Sequence, residues 1–364
     1  MGNIIEYNEI MAFHPGYYIA EIIEDMGISQ SEFAIRVGTT PKTISTLVNG
    51  QVNLSNDIAK KISAMTGTGV EVWLKMQEEY DKKLIEIERE KDIDAQKPIV
   101  SVIDYSFFVK YAHLPATRVI REKITNLCSY LMVSDLRVLQ QPDFLVNYRT
   151  GISTVQPKNI INSRAWLQTA INLSRDIVTE PFNAERLKSY LPELREMTIK
   201  DPQEFVPRMK EIFSQCGVAF VLLPHLKNSG VNGAVKWITP DRVVLAMNTR
   251  GAYADRFWFT LFHEIKHVLQ QKLKTTFISG SPDELEDKNA ALEEDADRFS
   301  SDYLIPPKKL KKWKPTRFTS DSEIVAFADS VGIHPGIVAG RLQHEKIISE
   351  NRCHKLKQKY VIVV

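Results

Sequence analysis

The chain lacks any apolar run of the roughly 18 residues a membrane-crossing helix needs, and its start, MGNIIEYNEI, has no basic stretch leading into an apolar one. Membrane insertion and secretion are therefore not expected, and a cytoplasmic protein is. Cysteine is scarce. Cys128, Cys216 and Cys353 are odd in number, far apart and never at CxxC spacing, which excludes a disulfide framework or a zinc ribbon and fits a reducing compartment. An excess of one charge is missing too, with 47 basic against 45 acidic residues and a net charge of +2. At 43% hydrophobic and 25% charged, the composition excludes wholesale disorder, and 364 residues at about 150 per domain leave room for two or three domains.

Neutral overall, the charge is uneven along the chain. Residues 1–80 hold five Lys and Arg (Arg36, Lys42, Lys60, Lys61, Lys75) against ten Asp and Glu, a balance of −5. Residues 305–364 reverse it with twelve basic against five acidic residues, +7, concentrated in PKKLKKWKPTR from Pro307 to Arg317. Any nucleic-acid role for the N-terminus has to work against its acidic count.

Between Tyr17 and Leu47 the sequence reads as helical patterns joined by a short turn. Ser29 followed three residues later by Glu32 is a capping box, and Phe33, Ala34 and Val37 supply an apolar face. Gly38 ends that helix; Thr40 is placed to cap the next, with Pro41 at its first position. Ile44 and Leu47 then face inward, and Lys42, Thr43, Ser45 and Thr46 face outward, where a helix-turn-helix meets the major groove. A small helical bundle with glycine turns is the plainer alternative.

From His14 to Asp81 the chain resembles the HigA-like antitoxin branch of the lambda-repressor-like (XRE) family, through His14-Pro15-Gly16, Ile44-Ser45, Asn49-Gly50 and Trp73-Leu74-x-Met76-Gln77. The resemblance implies a five-helix, usually dimeric domain binding a duplex DNA operator. It also implies phosphate contacts from Gln30, Thr40, Thr43 and Asn49 and base contacts from Pro41, Lys42 and Thr46. Beyond it, DKKLIEIEREKDIDAQK reads as an exposed helix continuing from the Trp73 region, a solvated spacer ended by Pro98. Residues 100–200 give mostly helical patterns, and three β-rich runs lie between Val218 and Asn248.

FWFTLFHEIKHVL, residues 257–269, carries His263, Glu264 and His267 in the HExxH pattern. Positions i and i+4 share a helix face, so both imidazoles can hold one zinc ion, with Glu264 at the edge of the site to take a proton from water there. An amphipathic helix with two satisfied histidines is the alternative. A catalytic zinc wants a third protein ligand and an open position. In the helix LEEDADRFSSDYLIP, Glu293 could bind while Asp297 accepts the N–H of a ligand histidine; Glu294, Asp295 and Asp302 compete. For Glu294 and Asp295 an ordinary acidic helix start is preferred.

RFWFTLFHEIKH, the following ExxAD, and Phe299 leading to Leu304-Ile305-Pro306 resemble the ImmA/IrrE family of metallopeptidases over roughly Asn162 to Gln343. This resemblance implies a gluzincin-like zinc endopeptidase, manganese being possible, with His263, His267 and Glu293 as ligands and Glu264 as general base. Ile265-Lys266 stands where the family commonly has Leu-Gly, and Ser300 where it has alanine. AFADSVGIHPGIVAGRL, near the end, has helix-turn-helix cadence but is expected to pack on the peptidase core.

The expectation is an α+β, mostly α protein. It has a five-helix DNA-binding head (1–80), a helical connector (81–160), a peptidase domain with a small sheet (161–306) and a basic helical extension (307–364). The resemblances imply a homodimeric regulator that cuts a repressor or antitoxin in a stress, mobile-element or toxin–antitoxin setting. The rival is an antitoxin-like repressor whose peptidase fold is a non-catalytic sensor or docking module, with or without zinc.

Overall fold

A computed structural model of the chain describes residues 3–141, 148–150, 156–249, 253–270 and 282–362. Contacts divide it into two units, Met1–Pro98 with Val119–Ile124, and Ile99–Arg118 with Thr125–Val364. The architecture is α+β and mostly α.

The first unit opens with an element absent from the sequence reading. IIEYNEIMAF folds into an antiparallel hairpin of β1 (Ile4–Tyr7) and β2 (Ile10–Phe13), turning at Asn8-Glu9 with Asn8 at φ 53°, a left-handed state asparagine tolerates. Five helices follow: α1 (Pro15–Asp25), α2 (Gln30–Val37), α3 (Pro41–Val48), α4 (Asn56–Thr66) and α5 (Val70–Val102). Ile19, Phe33, Val37, Ile44, Leu47, Ile62 and Trp73 form their common core. His14 caps α1, its Nδ1 accepting the Gly16 N–H at 2.9 Å. Gly16 is needed because a Cβ there would stand 2.0 Å from the Leu47 carbonyl oxygen, so α1 and α3 pack backbone to backbone. Gln77, buried, accepts from the Leu54 N–H and donates to Asp81, each at 2.8 Å.

Two expectations are corrected on α5. Pro98 does not end it. The helix runs on to Val102, and burial of Ile99, Val100 and Ile103 offsets the backbone hydrogen bond that proline cannot make. Nor is residues 81–97 a solvated spacer throughout. Tyr80, Leu84 and Ile87 pack with Ile5, Tyr7, Ile10 and Ala12 of the hairpin, and the Tyr7 hydroxyl donates to Asp94 at 2.6 Å.

The second unit contains α6 (Tyr105–Tyr111), α7 (Ile120–Leu131, whose start belongs to the first unit), β3 (Tyr148–Thr150), α8 (Pro157–Ser174), α9 (Ala184–Glu196) and α10 (Pro202–Gln215). It continues with β4 (Val218–Leu223), β5 (Val231–Thr239), β6 (Arg242–Asn248), α11 (Ala254–Gln270), α12 (Pro282–Leu304), α13 (Pro307–Trp313), α14 (Asp321–Val331) and α15 (Pro335–His344). The sheet order is β3-β5-β6-β4, with β4 and β6 parallel and the other pairs antiparallel. Val218, Phe220, Leu222, Val243, Leu245 and Met247 share one core with α10, α11 and α15, while α8 covers the other face. Burial of both faces is why VAFVLL reads as an unbroken apolar run. Ile324, Phe327, Ile337, Val338 and Leu342 place α14 and α15 in that same core, as expected for the second helix-turn-helix cadence.

Candidate functional site

In the first unit, the local sequence builds the turn as read. Ser29 Oγ accepts from the Glu32 N–H at 3.1 Å, Gly38 closes α2 at φ 69°, and Thr40 Oγ1 accepts from the Thr43 N–H at 3.1 Å with Pro41 at the start of α3. The capping box is half made: the Glu32 carboxylate pairs with Arg36 instead of reaching back to Ser29. Gln30, Thr40, Pro41, Lys42 and Asn49 are exposed, whereas Thr43, Ser45 and Thr46 are half-buried. Several of these side chains are tied to their own helix. The Thr46 hydroxyl lies within hydrogen-bond distance of the Lys42 and Thr43 carbonyls, and Asn49 Nδ2 donates to the Ser45 carbonyl at 2.8 Å. Gln30 and Lys42 are both exposed, Lys42 is free of ion pairs among the described residues, and these two side chains are left to reach outward.

The second unit brings α11 and α12 together around HExxH. His263 and His267 are buried, at 1% and 4% exposed, and Glu264 is fully buried. The His263 and His267 Nε2 atoms are 2.9 Å apart, and the Glu293 carboxylate lies 3.2 Å from the first and 3.3 Å from the second. His263 Nδ1 is 2.9 Å from Asp297 Oδ1, and His267 Nδ1 is 3.0 Å from Gln270 Oε1. Carboxylate and amide oxygens only accept, so each Nδ1 carries the proton and each Nε2 presents a lone pair. Two lone pairs and a carboxylate facing one another repel unless a cation or proton sits among them. Burial would raise the Glu293 carboxyl, but interaction with His263 and His267, once a proton or cation sits between them and it, outweighs burial and holds it well below the usual carboxylate range. Donor atoms of His263, His267 and Glu293 all lie within 4.8 Å of one another, a set that fits a metal ion.

Three features of this site were not anticipated. Gln270, the acceptor for His267, also donates to Asp295 Oδ2 at 2.7 Å and to the Leu292 carbonyl at 3.2 Å. Asp295 thus has a bridging role that the plain acidic-helix reading missed, taking in addition Lys266 Nζ at 3.1 Å. That reading also misplaced the helix start: α12 begins at Pro282, so Glu293–Asp295 lie well inside it and no N-terminal dipole explains them. Glu294 is exposed and paired with Arg298. The third feature is Gly233 on β5, where a Cβ would stand 2.6 Å from Glu264 Cγ and 2.9 Å from Thr260 Cγ2. The "GVNG" turn-like composition before the β-rich run was its one signal. The two departures from the family pattern both join α11 to its neighbours. Lys266 bridges to Asp295 and lies over the Phe299 ring, and the buried Ser300 hydroxyl donates to the Phe259 carbonyl at 2.7 Å.

Fold and site together define a helix-turn-helix regulator carrying a metallopeptidase-like domain. A helix-turn-helix profile matches residues 19–73, and a profile of the IrrE N-terminal-like domain matches residues 223–343, which include HExxH and α12. The chain is similar to the uncharacterized HTH-type transcriptional regulator YddM of Escherichia coli (strain K12), 31% identical over 93 residues, covering 25% of this chain and 97% of that protein. It is also similar to two proteins of Dichelobacter nodosus. Virulence-associated protein I is 31% identical over 23% of this chain and 78% of its own length, and virulence-associated protein A' is 35% identical over 19% and 60%. The chain belongs to the XRE-type helix-turn-helix regulators, with an IrrE/ImmA-like domain in its C-terminal region. Among the described residues no helix is long and apolar enough to cross a membrane.

Proposed function

We propose that the chain is a cytoplasmic, homodimeric transcriptional regulator whose IrrE-like domain is a zinc-dependent endopeptidase. Its substrate is a repressor or antitoxin in a stress, mobile-element or toxin–antitoxin setting. The observation that carries the enzymatic half is the convergence of both Nε2 atoms and the Glu293 carboxylate, with Glu264 on the same helix. In this reading His263, His267 and Glu293 hold the ion, while Asp297 and Gln270 fix the ring orientations and tautomers. Bound zinc supplies Lewis acidity, favouring attack by water on a peptide carbonyl at neutral pH; manganese is the alternative ion. Glu264 takes the proton of the attacking water as the C–O bond forms and delivers it to the amine as the C–N bond breaks. In the head, Gln30, Thr40, Thr43 and Asn49 contact phosphates, and Pro41, Lys42 and Thr46 contact base edges of the operator.

Glu264→Gln tests it. The variant keeps the side chain's shape and cannot take the proton, so metal content should match wild type while cleavage of the repressor or antitoxin encoded beside this chain, read by mass spectrometry, should stop. A second reading, the non-catalytic sensor or docking module, has the full burial of Glu264 in its favour. It predicts stoichiometric metal in wild type with no cut in that partner or in the chain itself.

A further inference from the structure

We propose that the surface formed by Pro307–Phe318 is a second DNA-binding surface, one that grips the phosphate backbone of a duplex without reading its bases. Six cations lie within it: Lys308, Lys309, Lys311, Lys312, Lys314 and Arg317, all exposed. No acidic residue occurs from Tyr303 to Ser320, and none of the six is in an ion pair among the described residues. The fold displays them rather than burying them. Leu310 and Trp313 anchor α13 to the core, Trp313 stacking on Phe327 with ring centroids 4.1 Å apart, and the lysines are left outside. Arg317 is steadied over the Phe318 ring at 4.7 Å, and Arg352 adds a seventh cation by donating to the Thr319 carbonyl at 2.8 Å and to the Arg317 carbonyl.

The two acids that follow this stretch in the chain are turned elsewhere. The Glu323 carboxylate accepts from the Ser320 N–H and hydroxyl at 2.7 Å each, closing a capping box on α14, and Asp321 is hydrogen-bonded to the Cys353 thiol. So many unpaired like charges repel one another unless a polyanion meets them.

Duplex DNA is the polyanion the rest of the chain favours. The helix-turn-helix head has a balance of −5 over residues 1–80. Two of its five cations are committed, Arg36 to Glu32 and Lys61 to Asp57. Backbone neutralisation supplies much of the affinity of such proteins, and a second phosphate-binding module on the same chain raises it through effective concentration. A lipid surface is the weaker partner, because Leu310 and Trp313 of α13 pack against the core and leave Phe318 as the single large apolar side chain exposed on this surface, too little to anchor it in a bilayer.

The test uses the full chain and a labelled duplex of random sequence, which requires neither an operator nor cleavage, so its outcome is independent of both halves of the proposed function. Replacing Lys308, Lys309, Lys311 and Lys312 together with alanine, the best helix former, should flatten the slope of log affinity against log salt by up to about 3.6 units between about 50 and 200 mM. Each duplex phosphate contact contributes about 0.9. The fourfold Lys→Arg variant should keep the wild-type slope, and metal content should not change in either. An unchanged slope in the alanine variant overturns the proposal, as does loss of binding in the arginine variant. So does a wild-type chain that binds phosphatidylserine–phosphatidylcholine vesicles through these lysines while its duplex binding is indifferent to them.

Discussion

Gly233 on β5 and Glu264 on α11 are in direct contact, close enough that a methyl group on the glycine would stand 2.8 Å from Glu264 Oε1. The register of the sheet sets Arg149 of β3 opposite Gly233, so the β5 backbone that backs the carboxylate lies inside the sheet, and Gly233 cannot easily withdraw. Gly233→Ala should therefore displace Glu264 and lower stability by about 1–3 kcal/mol, the usual cost of overpacking. Its metal content should stay near wild type while its cleavage rate falls. Wild-type melting temperature and turnover together would show that Glu264 does not depend on this glycine.

Gln270 stands to His267 as Asp297 stands to His263, each accepting from an Nδ1. Gln270→Leu and Asp297→Asn should each loosen metal affinity by about 10–100-fold, measured by competition with a chromophoric chelator. Glu293→Ala should leave no stoichiometric metal, and the exposed Glu294→Ala should leave it intact. Equal metal content in Glu293→Ala and wild type would remove Glu293 from the site.

Burial lowers the pKa of His14 from its ordinary 6.5, and its Nδ1, accepting from the Gly16 N–H, must be unprotonated to cap α1. Above 6.5 both folded and unfolded chains hold it neutral. As pH falls through that value the unfolded chain takes up a proton the folded one refuses, so the head loses stability toward acid. Hydrogen exchange at α1 amides in the full chain should speed up as pH falls below about 6.5, after correction for intrinsic exchange. His14→Asn, which keeps an oxygen acceptor and does not titrate, should remove that dependence; an identical profile in the variant would assign it to another group.

On α3, Lys42 is exposed while the Thr46 hydroxyl is held by its own backbone. Lys42→Ala should narrow the preference for operator over random duplex by about 1–3 kcal/mol, and Thr43→Ala should weaken binding to both alike. Competition binding with the two duplexes separates these effects. Equal losses on both for Lys42→Ala would make it a phosphate contact.

Local chemistry was legible in the sequence wherever neighbours in the chain do the work. Ser29, Gly38, Thr40 and Pro41 act within a few residues of themselves, so the helix-turn-helix cadence could be read directly. His263 and His267 share a face because four residues make about one helical turn. The same locality misled at Pro98, where a helix-breaking residue is overruled by apolar burial beyond it, and at Glu32, where Arg36 outcompetes the capping box. What only the tertiary structure decided is which distant groups meet. Asp295 reads as an ordinary surface acid until α12 lies along α11 and sets it against Gln270 and Lys266. Gly233 reads as a turn residue until β5 is backed against Glu264. Periodicity specifies the face a residue occupies; the partner on that face is chosen by packing between elements far apart in the chain, and that choice completes the surroundings of His263, His267 and Glu293.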